Sequence, residues 1–342
     1  MANTDDRPSP PPDPDPALHR ALARWATDPA NRATVLAVAA CLVLLRFLFL
    51  DTLEHFYRAW TTEDNYSHGP LVPLLSLYFA AQVFRRDGAL AAPEGSRGVL
   101  LGAALLGGAV LVNLLKVPLP IDFLGDLAFL AALAGAFAMI AGTAALRRYW
   151  FAFGFLIFMV PLPIALYSRI ASPLQLMASR VASAFMNATG VPVLCEGNRM
   201  TLPGGVQMFV AEACSGMRQL TGFLALAAAV AYLARRPIWY RAVVVASALP
   251  IALFANTTRV VATGYIMHFV DPRYAEGAYH TVEGLLLMGL GLLLLNSVCT
   301  LMDLIAPPPG EDQGGRADAP PAARPILAAE ATRAAHVLET AA

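Results

Sequence analysis

Charge is what this sequence has least of. Only 14% of its 342 residues are Asp, Glu, Lys or Arg, against roughly 25% in soluble globular chains. The 24 basic and 24 acidic residues cancel, so no basic face is available to track a phosphate backbone, which excludes nucleic acid as a partner. Cysteine is sparse too: four residues, widely spaced and without a C-x-x-C pair. That excludes a disulfide scaffold and a paired-cysteine zinc site. No internal repeat is present. No cleavable leader is expected, because the first apolar run starts only after residue 33 and is long enough to span a bilayer. Apolar side chains make up 57% of the total, the composition of an all-α polytopic membrane protein.

A crossing helix needs about 20 mostly apolar residues, fewer where the bilayer thins or flanking residues snorkel. Eight segments fit: 34–50, 70–84, 98–115, 127–146, 149–166, 220–234, 242–263 and 284–305. The second and sixth are the shortest. Arginine clusters at Arg20, Arg24 and Arg32, at Arg85, Arg86 and Arg97, at Arg147 and Arg148, and at Arg235, Arg236 and Arg241 all fall on one side if the N-terminus is inside. Cytoplasmic loops hold the positive charge, so an N-in, C-in topology is expected. Residues 1–33 and 306–342, rich in Pro, Asp, Gly and Ala, are expected to be mostly disordered cytoplasmic tails around a membrane domain spanning 34–305.

Segment 167–219 is the one long extramembrane excursion, and it faces outside. Ile170, Leu174, Met177, Val181 and Phe185 recur at steps of three to four residues, with Arg169, Ser172, Gln175, Ser179 and Arg180 elsewhere. This predicts an amphipathic helix lying along the bilayer, stopped by Gly190 and Pro192. Turn signals at Gly197 and Asn198, and at Pro203, Gly204 and Gly205, predict short strands forming a small hairpin or meander.

The hairpin leads into EACSGMRQL, where Glu212, Cys214, Ser215, Gly216 and Arg218 stand at the outer mouth of the sixth span. A thiol at a helix N-terminus feels the positive end of the dipole, which favours the nucleophilic thiolate. Gly216 leaves room for a substrate backbone. Glu212 equally suits a helix cap or a partner for Arg218. Asn256 and Arg259 occupy the outer half of the seventh span, where an arginine faces a protein interior, either for chemistry or as a tether between helices. His280 precedes the eighth span and suits a catalytic imidazole or an interfacial anchor. His68, in NYSHG of the first outside loop, suits either an approach to the same mouth or a loop-to-helix turn, and His268 is a further imidazole. Asp122 and Asp126 read as solvated loop charges. Cys41 and Cys299 read as small buried hydrophobes, while Cys195 shares the outer loop with Cys214 and could pair with it in an oxidising compartment.

Together, EACSGMRQL at 212–220, NTTRV at 256–260 and YHTVEG with His280 resemble the three motif regions of the exosortase/archaeosortase family. NYSHGPLVPLLSLY at 65–78, VPLP at 160–163, LQLMAS at 174–179 and GNRMTLPGG at 197–205 add to the resemblance. It covers about residues 35–305. The resemblance implies a polytopic membrane cysteine protease or transpeptidase that acts on exported proteins. Such substrates carry a C-terminal sorting signal of a Pro-Glu-Pro-type motif, a transmembrane helix and a basic cluster. It further implies Cys214 as nucleophile, Arg259 as the family's essential arginine and His280 as the histidine of the bacterial branch. The implied setting is a bacterial inner membrane with the site facing the periplasm. The chain is expected to lack the extra C-terminal periplasmic domain fused to some members. No metal or organic cofactor is expected, membrane lipids are the surroundings, and nothing in the residues specifies an oligomer.

The chemistry expected is attack by the Cys214 thiolate on a peptide carbonyl to form a thioacyl-enzyme. Glu212, Ser215, Gly216, Arg218, Asn256 and His68 stand as supporting or substrate-binding residues. Two other classes fit the same residues: a thiol-disulfide oxidoreductase using Cys195 and Cys214, and a non-covalent lipid-linked transporter using the polar cleft around Arg259.

Overall fold

The computed structural model describes residues 23, 25–87, 95–116, 122–210, 217–234, 236–270 and 278–307. Helices dominate: α1 (Arg32–Leu48), α2 (Leu50–Thr62), α3 (Leu71–Asp87), α4 (Gly95–Leu115), α5 (Asp122–Arg148), α6 (Trp150–Phe155), α7 (Ile164–Ala188), α8 (Met217–Leu233), α9 (Ile238–Phe269) and α10 (Ala278–Ile305). Between α7 and α8 lies an antiparallel meander of β1 (Leu194–Glu196), β2 (Arg199–Thr201) and β3 (Gln207–Phe209), as the turn signals predict. Residues 1–296 form one unit; in the other, 297–342, the described residues continue α10 to Ile305.

Four helices are long and apolar enough to cross a membrane singly: Arg97–Leu115 of α4, α5, α9 and Leu286–Ile305 of α10. Two bent pairs, α1 with α2 (76°) and α6 with α7 (79°), raise the total to six. The second and sixth spans read from the sequence correspond to α3 and α8, each 17 residues, about 25 Å of rise against a core of about 30 Å. By length and composition alone, four to six spans are shown among the described residues, and the expected count of eight is reached only if the shorter α3 and α8 cross as well.

Both bends have local causes. The fifth expected span, 149–166, is not one straight helix: a single 3₁₀ turn, Leu156–Met159, ends α6, and Val160 turns extended with ψ at 124°. Pro161 favours this, because the ring of a proline disfavours the helical region for the residue before it. Pro163 then opens α7. The first bend hinges on Phe49, which is fully buried and packs edge-on against Phe129 at 5.6 Å. Beyond it, 50–62 is helical where the sequence suggests a loop. Its charges break the apolar run, yet Thr52, Phe56 and Ala59 form one buried stripe at four- and three-residue steps.

Helices α4 and α5 pack through glycine. A Cβ at Gly102 would stand 2.6 Å from the Gly135 carbonyl oxygen and 2.7 Å from the Met139 nitrogen, and one at Gly98 would stand 2.9 Å from Gly142 Cα. Lipid tails are as apolar as leucine, so close backbone approach of this small-residue type replaces hydrophobic burial as the source of association. Gly142 adopts φ +85° inside α5, a conformation that favours glycine.

α7 is amphipathic as expected, but its two apolar faces differ. Met177, Val181 and Phe185 are exposed, about half of each side chain, while Ala171, Ala178, Ser179, Ala182, Ser183 and Met186 are buried. The small-residue face packs on the meander and on Val260 of α9, leaving the large stripe outward, where a bilayer surface would lie. Ser179 Oγ donates to the Gly197 carbonyl at 2.8 Å, and the Asn187 amide both donates to and accepts from Val193. These bonds fix the meander on α7.

Candidate active site

α8 and α9 form a tight helical hairpin, and its arithmetic sets the depth of each side chain. Counting rise from the turn, Met217 stands about 24 Å along α8, while Asn256 and Arg259 stand about 27 and 31 Å along α9. The asparagine and arginine therefore flank the start of α8. Both are buried, Asn256 at 2% exposure and Arg259 at 5%. A guanidinium this deep in an apolar helix is held by the surrounding protein, not by solvent.

Glu212, Cys214, Ser215 and Gly216 lie outside the described residues. Their flanks are buried. Val210 is fully buried in the cluster that includes Val260, its N–H bonded to the Asn198 carbonyl at 2.9 Å, and Met217 is buried at 2%. Arg218 turns the other way: its Nη2 meets Asp64 Oδ2 at 2.7 Å. That partner, in the first loop, leaves no local signal in the sequence because 154 positions separate the two residues.

The pairing brings in the 60–69 segment, which is bolted to the break between α6 and α7. A broken helix exposes orphan carbonyls and N–H groups. Here Trp60 Nε1 donates to the Met159 carbonyl (3.2 Å), the Leu162 N–H donates to Tyr66 Oη (2.9 Å), and Asn65 Nδ2 donates to Tyr167 Oη (3.0 Å). His68 Nε2 lies 3.3 Å from the Phe158 carbonyl, so that nitrogen carries the proton. Its Nδ1 is buried with no partner among the described residues. Burial, aided by the nearby Arg218 cation and opposed by the Phe158 hydrogen bond, holds the imidazole below its ordinary pKa. His68 is thus a neutral base with an open lone pair. Burial also pushes the Tyr66 phenol up, so it stays protonated.

Gly69 is required by Trp60. A Cβ there would lie 2.2 Å from the indole ring, which is itself stacked on Phe56 with centroids 5.6 Å apart. Gly69→Ala is expected to dislodge Trp60 from the Met159 carbonyl and shift His68 beside it. Tryptophan fluorescence of the purified variant should change, and its thermal midpoint should fall by the equivalent of about 1–3 kcal/mol.

A second polar cluster corrects the expectation for Asp126. Instead of being solvated it is completely buried, its carboxylate 3.5 Å from His55 Nε2 of α2 and without a hydrogen bond among the described residues. The chain's single lysine, Lys116, donates to Thr52 Oγ1 at 3.1 Å and lies close over Gly125. Asp122 remains mostly exposed. This cluster ties the first half of α2, the end of α4 and the start of α5 together.

His280 falls in the first turn of α10. That helix packs on α8 through Gly291, where a Cβ would strike the Phe223 ring at 2.0 Å. His268 is nine residues beyond Arg259, about 13 Å up the same helix, and lies against Phe269. Cys195 is a free thiol whose Sγ contacts the Gly197 carbonyl at 3.5 Å. Among the described residues, no group of three His, Cys, Asp or Glu side chains is arranged to hold a metal ion.

Comparison with known proteins returns one family. A model described as transmembrane exosortase matches residues 60–297, an interval that contains Trp60, His68, Arg218, Asn256, Arg259 and His280. No curated protein and no solved structure matches the chain. With its apolar helices, its buried arginine and most of its length matched to that model, the chain belongs to the transmembrane exosortase family.

Proposed function

We propose that this chain is a membrane cysteine protease or transpeptidase that cleaves C-terminal, Pro-Glu-Pro-type sorting signals of exported proteins at the outer face of a bacterial inner membrane. The observation that carries the reading is the burial of Arg259 and Asn256 beside the start of α8, three residues after Cys214. The covalent chain supports it. Cys214 is four residues from Val210 and three from Met217 in the sequence, and both of those residues are buried.

The mechanism follows from the side chains. The Cys214 thiolate attacks the scissile carbonyl and forms a thioacyl-enzyme. His280 accepts the thiol proton and returns it to the leaving amine as the C–N bond breaks, a role suited to imidazole near neutral pH. Arg259 stabilises the oxyanion, where a fixed cation in a low-dielectric site has its largest effect. Water or an amine nucleophile then releases the acyl group. Glu212, Ser215 and Gly216 shape the approach to the thiol, and Arg218 ties it to the first loop through Asp64. Eight crossings, N-in and C-in, with α3 and α8 as short spans, put these residues on one side; residues 34–305 form the membrane domain and the tails are cytoplasmic.

The test is processing of a tagged Pro-Glu-Pro substrate in cells carrying single variants. Cys214→Ala, Arg259→Ala and His280→Ala should each accumulate the uncleaved form. Normal processing by Cys214→Ala sinks the protease reading. Activity retained in His280→Ala but lost in His280→Ala/His68→Gln moves the base to His68, whose open Nδ1 supports that second assignment; the glutamine keeps a donor for the Phe158 carbonyl.

A further inference from the structure

Asn256 is buried to all but 2% of its surface, yet neither its Nδ2 nor its Oδ1 has a hydrogen-bond partner among the described residues. An amide so placed carries a desolvation cost, because its water partners are lost and no described residue replaces them. The side chain lines a narrow cleft, with about 10 Å³ of open space, whose other walls are Leu174 of α7, Leu220 of α8, and Leu249, Ala252 and Leu253 of α9. Leu249 is half exposed, so the cleft opens sideways, toward the surroundings that the apolar helices face. Helices α7 and α9 both carry an interior proline beside it, Pro173 and Pro250. Each proline removes one helical N–H donor and loosens its helix at the cleft wall.

We propose that Asn256 binds the main chain of the substrate: an extended, apolar peptide segment enters the cleft laterally, its backbone N–H donating to Oδ1 and its carbonyl accepting from Nδ2. This rests on the reading of the chain as a peptide-cleaving exosortase. The chemistry selects the ligand. A peptide bond is open to attack only where the backbone leaves its helix, and in a bilayer such a backbone has no water to satisfy it. A primary amide offers one donor side and one acceptor side in the plane of its group, matching a peptide unit. All other walls are apolar, so the cleft accepts apolar side chains and reads only the backbone. Asn256 lies one turn before Arg259, about 5 Å lower along α9. The bound peptide group therefore lies next to the bond that Arg259 would polarise.

The experiment uses the full-length chain in detergent micelles, with Cys214→Ala introduced to separate binding from cleavage. The probe is a fluorescent peptide carrying a Pro-Glu-Pro motif, an apolar helix and an arginine cluster. Adding Asn256→Leu should weaken binding about ten- to hundredfold, the equivalent of two neutral hydrogen bonds, while leaving the melting temperature equal or higher. Replacing single probe amides by esters should find one position that lowers affinity for the chain with Asn256 intact and not for the chain carrying Asn256→Leu. Equal affinities overturn the proposal. So does weaker binding with a lower melting temperature and no ester-sensitive position, the result for an asparagine that only orients Arg259. Probe cleavage by the Cys214→Ala chain at the normal rate would instead overturn the protease reading, and no binding to that chain at all overturns both.

Discussion

Cys214→Ala is expected to lower kcat by on the order of 10⁶-fold, the loss seen when a covalent nucleophile is removed from a site that works as a unit. KM should change little, because the thiol contributes little to binding the ground state. Cys214→Ser is expected to be nearly as inactive. It keeps the shape of the side chain, but a hydroxyl is far less acidic and less nucleophilic than a thiol. The serine variant also separates the other two classes of function. A transporter that uses only the polar cleft keeps its activity with Cys214→Ser. An oxidoreductase loses activity equally with Cys195→Ser, whereas the protease reading leaves that variant active, since the Cys195 thiol is free and held against its own hairpin turn at Gly197. Single-turnover cleavage of the Pro-Glu-Pro probe by the purified variants checks all three.

Arg259→Lys is expected to reduce kcat by about 10²- to 10³-fold with a smaller change in KM, the effect of losing a fixed oxyanion donor. Lysine keeps the charge but not the planar fork, and at a buried site the two are not interchangeable. Arg259→Ala should show the same loss of rate together with a stability cost of about 3–5 kcal/mol, because the groups that hold a guanidinium at 5% exposure are then stranded. The contrast between the two variants is the informative part: rate lost in both, thermal midpoint lost only in alanine. A lysine variant with full activity and a normal midpoint would reduce Arg259 to a tether between helices.

Some of this architecture is legible in the residues and some is not, for physical reasons. Asn256 and Arg259 stand out because a polar pair in a long apolar run has few explanations. The break before α7 is written in VPLP, where two prolines one residue apart each disfavour a helical conformation in the residue before them. The meander follows from its glycine turns, three of which, Gly197, Gly204 and Gly205, adopt positive φ. Asp126 reads as solvated from its neighbours in the chain, yet its environment is set by His55, 71 positions away, and hydropathy sees only near neighbours. Charges hide α2 for the same reason: Asp51, Glu54 and Arg58 interrupt the run while Thr52, Phe56 and Ala59 are buried. In α7 the periodicity is right, but the large apolar stripe is outward and the small residues face the protein. Periodicity cannot separate those faces, since packing among membrane helices favours Ala, Ser and Gly over leucine. The role of NYSHG as the fastening of a broken helix has no local signal, because its partners, Phe158, Leu162 and Tyr167, are 90 or more positions away.

The most direct measurement is mass spectrometry of the wild-type chain, mixed with the Pro-Glu-Pro probe and quenched in acid during turnover. The account predicts the N-terminal fragment of the probe attached to the peptide containing Cys214, and its release by neutral hydroxylamine as a thioester requires. Cleaved probe with no adduct on Cys214, formed equally fast by the Cys214→Ala chain, would contradict it.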